Sequence, residues 1–317
     1  LMNDRFALCL PREEFDEKRV ADSIKELQRE FSGNSFHLHT YMGVYEIRDR
    51  DEAVSIMVDK ANIAADTIKN NYDCCVAYYD EHLLEISIEQ RRLLGEFEPA
   101  LQNDEFVMYL QPQVKRDGAA KGAEALVRWV HPSRGILTPY AFIDILENAG
   151  LIYKLDLYIW EKAAQKLAEW KEKGYGSYHI SVNISTKDFY IIDIYETFTG
   201  LINKYGIAAS NLHLEITETT LMTDFEKNMN IIHKLQGVGF RVEIDDFGSG
   251  YSSLNMLKDI SADVLKIDMG FLRKSENEVK GQDILESIIT LAGKIGMDVI
   301  TEGVETKKQL DMLTMMG

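Results

Sequence analysis

Cysteine is scarce: Cys9, Cys74 and Cys75 are odd in number and confined to the first third of the 317 residues. No disulfide framework is implied, and a reducing cytoplasm suits the chain. Long apolar runs are missing as well. Nothing approaches the roughly 18–20 residues of a membrane span, and the amino terminus lacks a charged stretch leading into an apolar one, so any membrane tether lies outside this chain. Positive charge is in short supply: 35 Lys and Arg stand against 52 Asp and Glu, a net charge of −17. That balance argues against a surface that grips long nucleic acids or anionic membranes. A small phosphate ligand could still bind where metal ions supply the positive charge. Apolar residues make up 45%, ordinary for a folded chain long enough for two domains.

What the sequence has in abundance is carboxylate, and its placement is ordered. Glu124 in AEALVRW, Asn183 in SVNIS, Glu215 in LHLEIT, Asp245 and Asp246 in VEIDDFG, and Glu302 in VITEGVE each fall at or next to the end of a strand-like run. Lys266 in VLKID arrives in the same rhythm. Singly each is weak, because acidic pairs arise by chance in so acidic a chain and strand-end carboxylates often cap helices. Together they carry more. Oxygen ligands delivered one per strand to the same end of a parallel barrel would converge on hard divalent cations, an arrangement suited to phosphodiester hydrolysis. A stability reading would instead leave several polar groups in a barrel mouth without partners, at about 1–3 kcal/mol each.

The rest of the chain supports a barrel. RFALCL reads as a strand, residues 12–31 as a helix, FHLHTYMGVYEI as a strand, then a helix that Asp51 can cap, then a strand at CCVAYYD. This is an α+β piece, about half a domain. A charged helical connector follows, with Pro99 expected at a helix start. After residue 105, strands are expected at FVMYLQPQV, AAKGAEALVRW, YHISVNIS, LHLEIT, FRVEIDD, VLKID and DVIT. Helices are expected between them near 138–149, 155–173, 187–204, 223–237, 251–258, 280–295 and 306–315. Strand–helix alternation implies a parallel sheet and favours a closed eight-stranded barrel. KRDGAAKG is too short for a crossover helix, so the first two strands should be antiparallel. Seven strands are visible, and the eighth with its helix is expected to be missing from this chain.

Residues 106–317 resemble an EAL domain, the cyclic di-GMP phosphodiesterase module. The resemblance rests on YLQPQV, on EALVRW with Glu124, Ala125 and Leu126, and on HPSRGILTPYAFI, SVNIS, LEITET, IDDFGSGYSSL, LKID and TEGVET. It implies a modified TIM (β/α)8 barrel with an antiparallel first strand. Residues 1–85 resemble the second half of a GGDEF domain, the diguanylate cyclase module, with residues 86–105 as the helical connector. Met2, Asn3, Asp4, Arg5 and Phe6 stand where that family has its signature turn. Both glycines that let backbone approach phosphate are gone and Arg5 replaces the acidic residue, which argues against cyclase activity.

The resemblance implies two Mg2+ or Mn2+ ions, with Ca2+ inhibitory, and hydrolysis of cyclic di-GMP to linear 5′-pGpG. Glu124, Asn183, Glu215 and Asp245 match the ligands of one ion. Asp245 would bridge to a second ion that Asp246 also binds, and Glu302 joins the metal and water shell. Lys266 matches the lysine that orients the attacking water. Gln111, Leu126 and Arg128 match substrate contacts, and a guanidinium suits a phosphate oxygen. Glu218 matches the glutamate that steadies the DDFGSGYSSL loop, while Asp268 and Glu305 match further polar positions. The alternative is a non-catalytic cyclic di-GMP receptor or scaffold. The family also implies a homodimer through the barrel, a regulatory role for the degenerate domain, and a cytoplasmic location, within a larger sensor protein or alone.

Other residues have plainer readings. His213 lies two before Glu215 on the same strand face and reads as a hydrogen-bonded core residue. His37 and His39 lack partners for a metal site. Cys74 and Cys75 would point to opposite faces of a strand, which suits packing. Met312, Met315 and Met316 fit a helix face.

Overall fold

A computed structural model describes residues 5–31, 40–69, 74–248, 260–268 and 278–316. The chain divides into two compact units, Leu1–Gly95 and Glu96–Gly317. The turn at Met2, Asn3 and Asp4, both His37 and His39, the expected helix near 251–258 and most of the glycine-rich loop after Phe247 lie outside the described residues.

In the first unit, α1 (Glu17–Phe31) and α2 (Val54–Thr67) accompany a short parallel pair, β1 (Met42–Val44) and β2 (Val76–Tyr78). Helix α2 lies so close to β1 that a Cβ on Gly43 would sit 1.8 Å from the Ala61 carbonyl oxygen. Three expectations are corrected. RFALCL forms no strand, and Phe6 is 90% exposed, because a strand is stable only with a partner edge or a covering face. Asp51 does not cap α2: Ala53 occupies that position without a side-chain bond. Pro99 lies inside α3 (Glu81–Gln102), near its end, where the missing N–H costs one helical bond without ending the helix at once. Cys74, Cys75 and Cys9 are free thiols.

The second unit is a mixed α/β barrel-type fold. Its strands are β3 (Phe106–Val114), β4 (Ala120–His131), β5 (Gly135–Leu137), β6 (His179–Ile184), β7 (Leu212–Thr217), β8 (Arg241–Phe247), β9 (Val264–Ile267) and β10 (Asp298–Thr301). They run β10-β9-β8-β7-β6-β4-β3, with β5 paired to β4. β3 and β4 are antiparallel, as their short connection dictates, and every pair from β4–β6 to β9–β10 is parallel. The intervening helices are α4 (Ile143–Asn148), α5 (Ile152–Glu172), α6 (Asp188–Ile191), α7 (Ile194–Tyr205), α8 (Glu218–Thr223), α9 (Phe225–Val238), α10 (Glu278–Lys294) and α11 (Lys307–Met316). The single helix expected near 187–204 is broken. Ile192 turns extended, and Asp193 restarts the helix by accepting a hydrogen bond from the Glu196 N–H. Thr217 similarly caps α8, so helix begins five residues before the expected 223.

Strand alternation sorts the barrel chemically. On β6, β7, β8 and β9, Ile180, Val182, Leu212, Leu214, Ile216, Val242, Ile244, Leu265 and Ile267 share one parity and are buried on the helix-covered face. Fully burying such side chains contributes about 1.5–3 kcal/mol each. The other parity carries Ser181, Asn183, His213, Glu215, Glu243, Asp245 and Lys266. That face is the interior, and it is where chemistry can collect.

Candidate functional site

Lys266 is the hub of that interior. It is 1% exposed on the short strand β9, and its Nζ lies 3.2 Å from Glu124 Oε2, 3.0 Å from Glu215 Oε2, 3.0 Å from Asp245 Oδ1 and 2.8 Å from Glu302 Oε1. The carboxylates come from β4, β7, β8 and the residue following β10, a convergence that only a rolled sheet can produce. Glu302 is held in register by its N–H, which donates to the Ile267 carbonyl at 3.0 Å.

One ammonium cannot serve four carboxylates. It approaches Glu215 and Asp245 off the hydrogen-bond direction, and both oxygens of Glu215 and Oδ1 of Asp245 are buried with no hydrogen-bond partner among the described residues. Burial and the excess negative charge together shift the proton affinities of the ring. Burial lifts Glu215 well above the ordinary carboxylate range, with Glu124, Glu243 and Asp245 adding to the rise and Lys266 opposing it. Burial also raises Glu302, and burial with the charges of Asp245 and Asp268 raises Asp246. For Lys266, burial works against the charged form, but Glu215, Asp245, Glu124 and Glu302 outweigh it and raise its pKa above the usual lysine value.

Orphaned buried oxygens in an all-oxygen donor set fit hard divalent cations such as Mg2+ or Mn2+. The other expected residues lie on the barrel strands or in the segments that follow them. Asn183 pairs with Glu215 in register, but its side chain is exposed, while its carbonyl accepts from Trp160 Nε1 at 2.9 Å. Asp246 is exposed beside Asp245 with φ 54°, a left-handed conformation that aspartate tolerates better than most residues. Glu218 begins α8, directly after the end of β7. Gln111 pairs with Glu124 across β3–β4, and both line, with Leu126 and Glu302, a cavity of about 990 Å3. Arg128 is half-buried, its Nη1 donating to the Val127 carbonyl at 2.8 Å and its guanidinium 5.6 Å from the Tyr109 ring centre. Asp268 follows β9. Glu305 is exposed, and its N–H donates to Gln309 Oε1 at 3.0 Å, anchoring the entry to α11.

Sequence reasoning missed Glu243. It sits two before Asp245, hence on the same face one step down β8, and its Oε1 lies 2.6 Å from His213 Nδ1. The alternation in VEIDD was the available signal. A second missed group is the pair of half-buried Asp156 and fully buried Asp188: removal from solvent raises both, Asp156 well above the ordinary value, with the charge of Asp188 next among its causes.

The EAL domain family model matches residues 95–317. MucR of Pseudomonas aeruginosa, named a bifunctional diguanylate cyclase/cyclic di-GMP phosphodiesterase, is 32% identical over 255 residues, covering 80% of this chain and 37% of that protein. PdeR of Escherichia coli, named a cyclic di-GMP phosphodiesterase, is 32% identical over 218 residues, covering 69% of this chain and 33% of its own length. This chain thus spans about a third of the length of each of these relatives. Among solved structures, the PaMucR phosphodiesterase in complex with c-di-GMP superposes with a TM-score of 0.68 at 33% identity, over 71% of this chain and 92% of that one.

Proposed function

This chain belongs to the EAL domain family, and from that premise we propose that it hydrolyses cyclic di-GMP to linear 5′-pGpG in a reaction that needs divalent cations. The observation that carries the reading is the convergence of Glu124, Glu215, Asp245 and Glu302 on one buried lysine, with carboxylate oxygens left unsatisfied. The names of the MucR and PdeR relatives support the substrate.

Glu124, Asn183, Glu215, Asp245, Asp246 and Glu302 would hold two Mg2+ or Mn2+ ions, with Ca2+ binding but inhibiting. Such ions supply Lewis-acid polarisation of the phosphodiester and activation of water. The chain's own groups do the rest. Lys266, held protonated by its carboxylate neighbours, is a donor and not a base, so its N–H orients the attacking water. Glu302, partly open to solvent and 2.8 Å from Lys266 Nζ, would belong to the metal and water shell beside that lysine. Arg128 donates to a non-bridging phosphate oxygen, and Gln111 and Leu126 line the approach. Glu218 steadies the segment after Asp246, and Asp268 and Glu305 support the rim.

Residues 1–85 act as a degenerate GGDEF-like regulatory domain, and the protein works in the cytoplasm as a homodimer through the barrel. No helix among the described residues is long and apolar enough to cross a membrane. Incubation with cyclic di-GMP and Mg2+ or Mn2+, followed by chromatography, should give pGpG. Tight binding without product would favour a receptor instead.

A further inference from the structure

Below the acidic ring lies a second cluster of different chemistry. His179 of β6, His213 of β7 and Glu243 of β8 are 5%, 3% and 0% exposed, and one ligand atom from each lies within 4.8 Å of the other two. We propose that these three residues form a separate site for a borderline transition-metal ion, Zn2+ above all. Two imidazoles and one carboxylate suit zinc or cobalt, whereas magnesium prefers oxygen alone.

The surroundings are arranged as they are around ligating histidines, whose second ring nitrogen usually donates to a carbonyl or carboxylate oxygen. His213 Nε2 faces the Ser210 carbonyl at 3.2 Å, and His179 Nε2 faces Gln113 Oε1 at 2.7 Å. With both Nε2 atoms acting as donors, each Nδ1 is left to face a cation, which at His213 would take the place of the proton shared with Glu243. His213 Nδ1 already lies 2.6 Å from Glu243 Oε1. The other oxygen of Glu243 is buried with no hydrogen-bond partner among the described residues, at a cost of about 1–3 kcal/mol that a cation would remove. Burial keeps His179 neutral, its pKa lowered to about 3.

Loading the site has a geometric consequence. The rings are stacked, centroids 3.8 Å apart and planes 4° from parallel. An ion about 2.0–2.1 Å from both nitrogens cannot lie in two such planes, so the rings must splay on binding. All three side chains line the 990 Å3 cavity, which gives them room and leaves a fourth position for water. The site shares no ligand with the acidic ring, although the charge of Glu243 is felt at Glu215.

The test is dialysis of metal-free protein against Zn2+ with excess Mg2+ to occupy the acidic ring. Bound zinc is read by mass spectrometry and its neighbours by X-ray absorption. One zinc per chain with imidazole scattering is expected, retained in Asp245→Asn and lost in His213→Gln and Glu243→Gln variants whose circular dichroism matches the parent. Gln113→Ala, which removes no ligand, should weaken zinc about 10–100-fold. No retained zinc in the unmodified protein, or an all-oxygen shell, overturns the site without bearing on phosphodiesterase activity.

Discussion

Lys266 carries the only ammonium that meets Glu124, Glu215, Asp245 and Glu302 among the described residues, and its loss should be felt before any catalysis. Removing one partner of a buried ion pair typically costs about 3–5 kcal/mol, because the other charge is left unpaired. Lys266→Met should therefore melt markedly lower than the parent in EDTA, and Mn2+ should restore part of the loss. Unchanged melting in EDTA would show that the lysine does not neutralise the ring. The Asp156–Asp188 pair gives a pH prediction. The folded-state pKa of Asp156 is raised, so the folded chain binds that proton more tightly than the unfolded one. Its favourable contribution is present below the ordinary carboxylate value and is lost as pH rises through the raised value. Asp156→Asn should hence stabilise the fold at pH 8 relative to the parent and do so less at pH 4, as read by thermal melts. At this scale the ring carboxylates were legible because each falls in or just after a strand-like run, although Glu124 stands within β4 and not at its end. Glu243 and the Asp156–Asp188 pair were not, since each depends on a partner 30 or more residues away in sequence.

The strands set which of these groups meet, and there the sequence was most readable. Period-two alternation and the brevity of KRDGAAKG were enough to place the interior face and the antiparallel start. Helix boundaries were harder. The break at Ile192–Asp193 rests on one side-chain cap inside an otherwise helical run, and α8 is preceded by Thr217, whose hydroxyl accepts from Thr220 N–H at 3.3 Å. RFALCL failed as a strand because β-propensity records packing against neighbours that this segment lacks among the described residues. Packing between α2 and β1 offers a sharp check. A methyl on Gly43 would overlap the Ala61 carbonyl, so Gly43→Ala should cost about 1–3 kcal/mol in the first unit by urea titration. An unchanged midpoint would contradict the close approach.

Over the whole molecule, 52 acidic against 35 basic residues make cations part of the argument twice, in the acidic ring and in its histidine neighbour. The charge also bears on assembly, since net charge opposes self-association at low salt. The proposed homodimer should give twice the chain mass of 36.2 kDa by light scattering at physiological salt, and a monomer mass at every concentration would remove it. The central claim, that the acidic ring uses divalent ions to open a cyclic dinucleotide, has one most direct measurement: chromatography of cyclic di-GMP incubated with the protein and Mn2+. The account predicts pGpG accumulating with time, abolished by EDTA and by Asp245→Asn. Product formation that survives Asp245→Asn, or bound dinucleotide that stays cyclic in Mn2+, would contradict it.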